Sequence, residues 1–274
     1  METVKLSIKL GMIGGGVMGE ALLSRLVDRG IYAPQDVLVS DPQAVRREFL
    51  EQAYGVQVTT DNRATAEADV LLLAIKPQIF NAVATSLSGL FDARSSSLLV
   101  LSILAGTPLN KLEAAFPQQP VIRAMPNTPA TVGEGITAIA PGTHTLPHHL
   151  ARARQIFEAV GEVVEVPESA MDAVTGLSGS GPGYVALLVE ALADGGVAAG
   201  LPRAIALKLA LQTVKGTAQL LQESGTHPGE LKDQVTSPGG TTIAGIAALE
   251  RAGFRSALID AVLAAHQRSQ DLGR

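Results

Sequence analysis

The chain has 274 residues, 46% hydrophobic and 17% charged, with a net charge of −5. That is apolar material enough for two cored domains, and it excludes a disordered chain. The basic residues are scattered, which argues against a nucleic-acid partner. With no cysteine there are no disulfides, thiol chemistry or cysteine metal sites, a composition compatible with the cytoplasm.

Aromatic residues are only 3%, so Ala, Leu, Val and Gly must fill the core. Lys5 and Lys9 precede an apolar patch as in a signal peptide, but Gly11, Gly14, Gly15 and Gly16 break it and no A-x-A site follows. No apolar run reaches ~18 residues, so no membrane span is expected.

Leu6, Ile8, Leu10 and Met12 alternate as a first strand, and Ile13 leads into Gly14-Gly15-Gly16-Val17-Met18-Gly19. The helix that follows carries Val17, Met18, Ala21, Leu22, Leu26 and Val27 on one face and closes at Gly30. A second strand is expected at 37–39, with Asp41-Pro42 as N-cap and first residue of the next helix. A glycine-rich turn between strand and helix, followed at once by another strand, is the setting in which G-x-G-x-x-G binds a dinucleotide. Further strands are expected at 56–59, 70–75, 98–103, 121–125, 136–140 and 163–166. Helices fall at 42–53, 61–67, 78–90, 108–115 and 147–160. The runs at 70–75 and 98–103 are continuously apolar, as in parallel strands buried on both faces. Residues 1–167 therefore read as a doubly wound Rossmann-type α/β domain, and 168–274 as all-helical, with helices near 168–176, 183–199, 203–223, 228–234, 242–252 and 254–270.

In such a sheet the ligand lies beyond the carboxyl ends of the strands. Four stretches fall there: residues 14–19, Ser40-Asp41, Ala74-Ile75-Lys76-Pro77 and Met125-Pro126-Asn127. Lys76 has the charge to meet a phosphate, and Asn127 has a carboxamide to offer a nicotinamide. Asp41 stands where an acid takes the ribose hydroxyls of NAD and would repel a 2′-phosphate, but Arg46 and Arg47 follow closely and Asp41 also has a capping position. NAD and NADP both stay open.

Ser237-Pro238-Gly239-Gly240-Thr241-Thr242 interrupts apolar helix and empties into another helix. It reads either as a capped turn or as an anion site on bare helix amides. Histidines show no metal-ligand spacing, so no metal is expected. Ser178-Gly179-Ser180-Gly181 reads as a cap for the helix beginning near residue 182. The domain order is similar to that of the β-hydroxyacid dehydrogenases, a resemblance that implies a Lys on the helix after a glycine-rich turn. The helix after Gly181 has none, so an alcohol/ketone reaction of that kind lacks its acid/base, whereas a protonated imine needs mainly orientation and a seat for its anionic group. Helices 183–199 and 203–223 are apolar nearly all round, which predicts burial against a second copy.

The chain closely resembles the pyrroline-5-carboxylate reductases. The match runs through residues 14–21, Ala74-Ile75-Lys76-Pro77, Arg123-Ala124-Met125-Pro126-Asn127-Thr128-Pro129, Leu177-Ser178-Gly179-Ser180-Gly181-Pro182, and 227–233 running into 237–242. The resemblance implies reduction of 1-pyrroline-5-carboxylate to L-proline by NAD(P)H. It implies a substrate carboxylate on the amides of Gly239, Gly240 and Thr241, Thr242 on the ring nitrogen with Ser237 nearby, and cofactor contacts from Asn62 and residues 74–77. It also implies a homodimer through the helical domain, with larger rings built from dimers. The competing readings are a reductase of another cyclic imine, a β-hydroxyacid dehydrogenase, or a non-catalytic NAD(P)-binding regulator.

Overall fold

Eight strands line up as one sheet. The structure is a computed structural model describing residues 8–91 and 98–273. Leu6, which the alternation puts at the head of the first strand, lies outside the described residues. β1 (Leu10–Ile13) passes through the glycine turn into α1 (Val17–Asp28). Then come β2 (Val37–Ser40), α2 (Ala44–Tyr54), β3 (Gln57–Thr59), α3 (Asn62–Thr65) and β4 (Val70–Leu73). α4 (Phe80–Ser86), β5 (Leu99–Ser102), α5 (Leu109–Ala115) and β6 (Val121–Met125) continue the alternation. β7 (Gly135–Pro141), α6 (Pro147–Phe157) and β8 (Gly161–Glu165) extend it.

The strand order is β3-β2-β1-β4-β5-β6-β7-β8. The first six strands run parallel, the doubly wound order expected from the sequence. β7 turns antiparallel to β6, and β8 runs parallel to β7. The link from β6 to β7 holds only a short 3₁₀ turn, Thr128–Val132. A parallel crossover needs a dozen or more residues, so so short a connection returns the chain alongside in the opposite sense.

The continuous apolar strands are explained by cover on both faces. Leu72, Leu101 and Ile122 point into one core with Leu22, Leu26 and Phe157, whereas Leu71, Leu73 and Val100 point into another with Phe80, Leu112 and Phe116.

The helical part contains α7 (Met171–Val174), a π-type turn over Thr175–Gly179, α8 (Gly181–Ala198), α9 (Arg203–Ser224), α10 (Pro228–Gln234), α11 (Thr241–Arg251) and α12 (Phe254–Gly273). The chain forms two compact units. One ends at Gly179 and takes in the last turns of α12 from Ala265; the other is Ser180–Ala264. In the first, the Ser269 hydroxyl donates to Asp172 at 2.6 Å and the buried Arg123 guanidinium reaches Glu168 at 2.9 Å, which ties the chain's end to the sheet. In the second, α8 and α9 close on Val189, Ala193, Ala206 and Ala210, and Gly196 lets them approach, since a Cβ there would lie 3.0 Å from that of Ala206.

Three local expectations differ. α2 begins at Ala44, and Asp41 is not its cap: the Asp41 carboxylate turns to the Gly15 and Gln43 amides instead. Ser180 precedes α8 without a side-chain cap, because the residues before it are wound into the π-type turn, where the Ser178 hydroxyl donates to the Val174 carbonyl. Val17 is 73% exposed, since it stands at the open mouth of the glycine turn; Leu23 is buried in its stead. Among the described residues no helix is long and apolar enough to cross a membrane.

Candidate active site

The glycine turn is shaped by close approach. Gly14 sits at φ +98°, and a Cβ there would lie 2.5 Å from the Ala74 carbonyl oxygen, so only glycine lets β1 turn against β4. At Gly16 no atom lies within 4 Å of an added Cβ: that side is open. α1 starts without a side-chain cap, and its first intrahelical bond runs from the Glu20 N–H to the Gly16 carbonyl. The amides ahead of Glu20 have no intrahelical acceptor, and they carry the positive end of the helix dipole.

This turn opens on a cleft of about 400 Å³ at the carboxyl ends of β1, β2, β3 and β4. Gly14, Gly16, Ser40, Asp41, Asn62, Ala74, Ile75 and Lys76 line it, which brings together residues far apart in the chain. Gly15, Val17, Met18 and Gly19 belong to the turn and α1 rather than to the cleft wall. Gln43, Thr60, Ile79 and Val83 also line the cleft and were not singled out from the sequence. Thr60 could have been, as the residue after β3; Ile79 and Val83 look like any apolar helix positions. Open amides, a glycine without cover and a cleft along the strand ends fit a dinucleotide diphosphate and its riboses.

The polar groups at the β2 end interlock. The Ser40 hydroxyl donates to the Asn62 carboxamide oxygen at 2.7 Å, and the Asn62 amide donates to the Ser86 hydroxyl at 3.2 Å. Asp41 accepts from the Gly15 amide and from the Gln43 amide, both at 2.9 Å. Arg46 donates to the Gly15 carbonyl and pairs with Glu20, while Arg47 donates to the Asp41 carbonyl at 2.7 Å. Burial works to raise the Glu20 carboxyl, but hydrogen bonds from Arg46 and Tyr54 and the Arg46 charge hold it below the usual carboxylate range. Burial, then Glu20, pushes the Tyr54 hydroxyl up.

Lys76 is exposed on the cleft wall after β4, and Pro77 begins a short 3₁₀ turn. Met125, Pro126 and Asn127 lie off this cleft. The Asn127 carboxamide is engaged at both ends, its oxygen accepting from the Ile136 amide at 3.0 Å and its nitrogen donating to the Ser178 carbonyl at 3.2 Å. It fastens the β6–β7 connection.

In the second unit, residues 237–240 form a tight turn. Gly239 sits at φ +69°, and the Gly240 amide donates to the Ser237 carbonyl at 3.0 Å. The Gly240 amide expected for a carboxylate is thus used inside the turn. A Cβ on Gly240 would meet the Ser237 hydroxyl oxygen at 2.3 Å, so the serine side chain would have to turn aside for any other residue. α11 then begins at Thr241 with no side-chain cap, and its first amides, those of Thr241 and Thr242 among them, lack intrahelical acceptors. Both readings of the hexapeptide meet here: it is a helix start whose cap has been left out.

Residues 168–272 match the family model described as pyrroline-5-carboxylate reductase dimerisation, and residues 9–106 match that of NADP oxidoreductase, coenzyme F420-dependent. A curated pyrroline-5-carboxylate reductase from Synechocystis is 59% identical over 270 residues, 98% of this chain and 100% of the relative. The chain belongs to the pyrroline-5-carboxylate reductase family. Two solved structures agree over nearly their full length. The reductase of Coxiella burnetii superposes with a TM-score of 0.90 at 33% identity, covering 98% of this chain and 99% of that one. The Plasmodium falciparum pyrroline carboxylate reductase, solved with NADP bound, superposes at 0.87 with 31% identity and the same coverage. The family's chains are NAD(P)-binding oxidoreductases with a Rossmann-type unit and a dimerisation unit, and both are present here.

Proposed function

We propose that the chain reduces 1-pyrroline-5-carboxylate to L-proline, the last step of proline synthesis. The observation that carries this reading is the uncapped start of α11 behind Ser237-Pro238-Gly239-Gly240, in a chain of this family. When bound, NADH or NADPH would supply hydride for C5 of the imine. Gly14, Gly16, Ser40, Asp41, Asn62, Ala74, Ile75 and Lys76 hold the dinucleotide along the cleft, the α1 amides taking its diphosphate. The amides at Thr241 and Thr242, on the loop of Gly239 and Gly240, take the substrate carboxylate. The Thr242 hydroxyl bonds the ring nitrogen with Ser237 beside it, orienting a C=N that is already electrophilic once protonated. Residues 1–167 act as the dinucleotide domain and 168–274 as the dimerisation and substrate domain of a cytoplasmic homodimer, able to assemble further into a ring.

Removing one buried hydrogen bond costs ~1–3 kcal/mol, so Thr242→Ala lowers kcat/KM by about tenfold or more. Unchanged kinetics would take Thr242 out of the reaction. Assays with 3-hydroxyisobutyrate and piperideine carboxylates separate this reading from an alcohol dehydrogenase and from a reductase of larger cyclic imines.

A further inference from the structure

We infer that Asp41 makes this chain select NADH over NADPH, because its carboxylate occupies the amides and the space a ribose 2′-phosphate would need. The inference rests on the dinucleotide reading of the cleft. Asp41 is the first residue beyond β2 and lines the cleft with Ser40, Gln43, Thr60 and Asn62. These four neighbours are neutral, and Asp41 itself is only 8% exposed.

A 2′-phosphate is held by free amides or by a cation. At this end of the cleft the two amides that face Asp41 are taken, and a carboxylate stands on them. The Gly15 and Gln43 amides already donate to the two Asp41 oxygens, both at 2.9 Å. Arg46 follows soon after in the chain but is spent elsewhere: it pairs with Glu20, donates to the Gly15 carbonyl and stacks on Phe49, 5.0 Å from the ring centroid. Arg47 is bound to the Asp41 carbonyl at 2.7 Å. Neither arginine lines the cleft, and the one lysine that does, Lys76, stands after β4, on the far side of β1 from β2. A ribose 2′-hydroxyl, in contrast, donates to a carboxylate, which keeps lone pairs free after accepting two amides.

The test is calorimetric binding of NADH, NADPH, 5′-AMP and 2′,5′-ADP to the intact protein without substrate. NADH should bind at least about tenfold more tightly than NADPH, as a phosphate dianion beside a shielded carboxylate requires. Asp41→Asn should shrink that ratio through tighter NADPH and 2′,5′-ADP binding. Because Asp41 also braces the glycine turn, Gln43→Arg is the second variant: it keeps the backbone amide, adds a guanidinium on the cleft wall, and should strengthen NADPH more than NADH, narrowing the ratio. Equal or tighter binding of NADPH by the parent chain, or a ratio that neither variant moves, overturns the inference. NADH binding with that outcome leaves the proposed function standing; failure of both dinucleotides to bind sinks both.

Discussion

The two units use similar apolar residues to opposite ends. In the first, leucines and valines of the strands vanish into two cores under helices on both faces. In the second, the residues fully buried are one valine and three alanines, while Leu187 is 66% exposed and Leu209 53% exposed, with Leu192, Leu211 and Leu263 also open. A sheet wrapped by its own helices closes its core within one chain. The helical unit leaves its larger side chains for a second copy, in keeping with its match to a dimerisation family.

The largest effect should come from placing a charge on that open face. Burying a Leu at an interface contributes ~1.5–3 kcal/mol, so Leu209→Glu, which also forces a charge into it, should weaken self-association by more than about 100-fold. Sedimentation of the parent chain as a dimer or larger, and of the variant as a monomer, is the expected result. A parent chain that is monomeric and folded at micromolar concentration would break the comparison.

In the first unit the same kind of change should act within one chain. Leu72→Ala removes a fully buried side chain from the centre of the sheet and should cost ~2–5 kcal/mol of stability without altering the sedimentation of the folded protein. A loss below ~1 kcal/mol would mean that the site collapses onto its neighbours or that the core is less complete than described.

The smallest effect concerns pH. Burial, and then the neighbouring His148, holds the His149 imidazole below its ordinary value of 6.5. The neutral ring accepts the Leu146 amide at 3.0 Å at the start of α6. The unfolded chain takes up this proton as pH falls through about 6.5 and the folded chain does so only at lower pH, so stability is lost as pH drops below that point. Melting temperatures at pH 7.5 and 5.5 should show a smaller drop for His149→Gln than for the parent; equal drops would clear His149 of the effect.

Much of this was legible in the residues. Apolar runs placed all eight strands, and the glycine turn between β1 and α1 located the cleft, because period and turn chemistry act over a few residues. What was hidden depends on partners distant in sequence. Asp41 reads as a helix cap in the sequence, but its carboxylate is held by the Gly15 amide, 26 residues earlier. The bonds of the Asn127 carboxamide to Ile136 and Ser178 reach 9 and 51 residues along the chain, beyond any local pattern. The reversal of β7 follows from a short link that the strand pattern alone does not weigh. The hexapeptide at 237–242 stood out by composition, but the use of the Gly240 amide within its own turn needed the backbone geometry.

The most direct test of the account is turnover. Purified protein with 1-pyrroline-5-carboxylate should oxidise NADH, and NADPH more weakly, with L-proline formed mole for mole. Protein that binds the dinucleotide but forms no proline from this imine would contradict the proposed function.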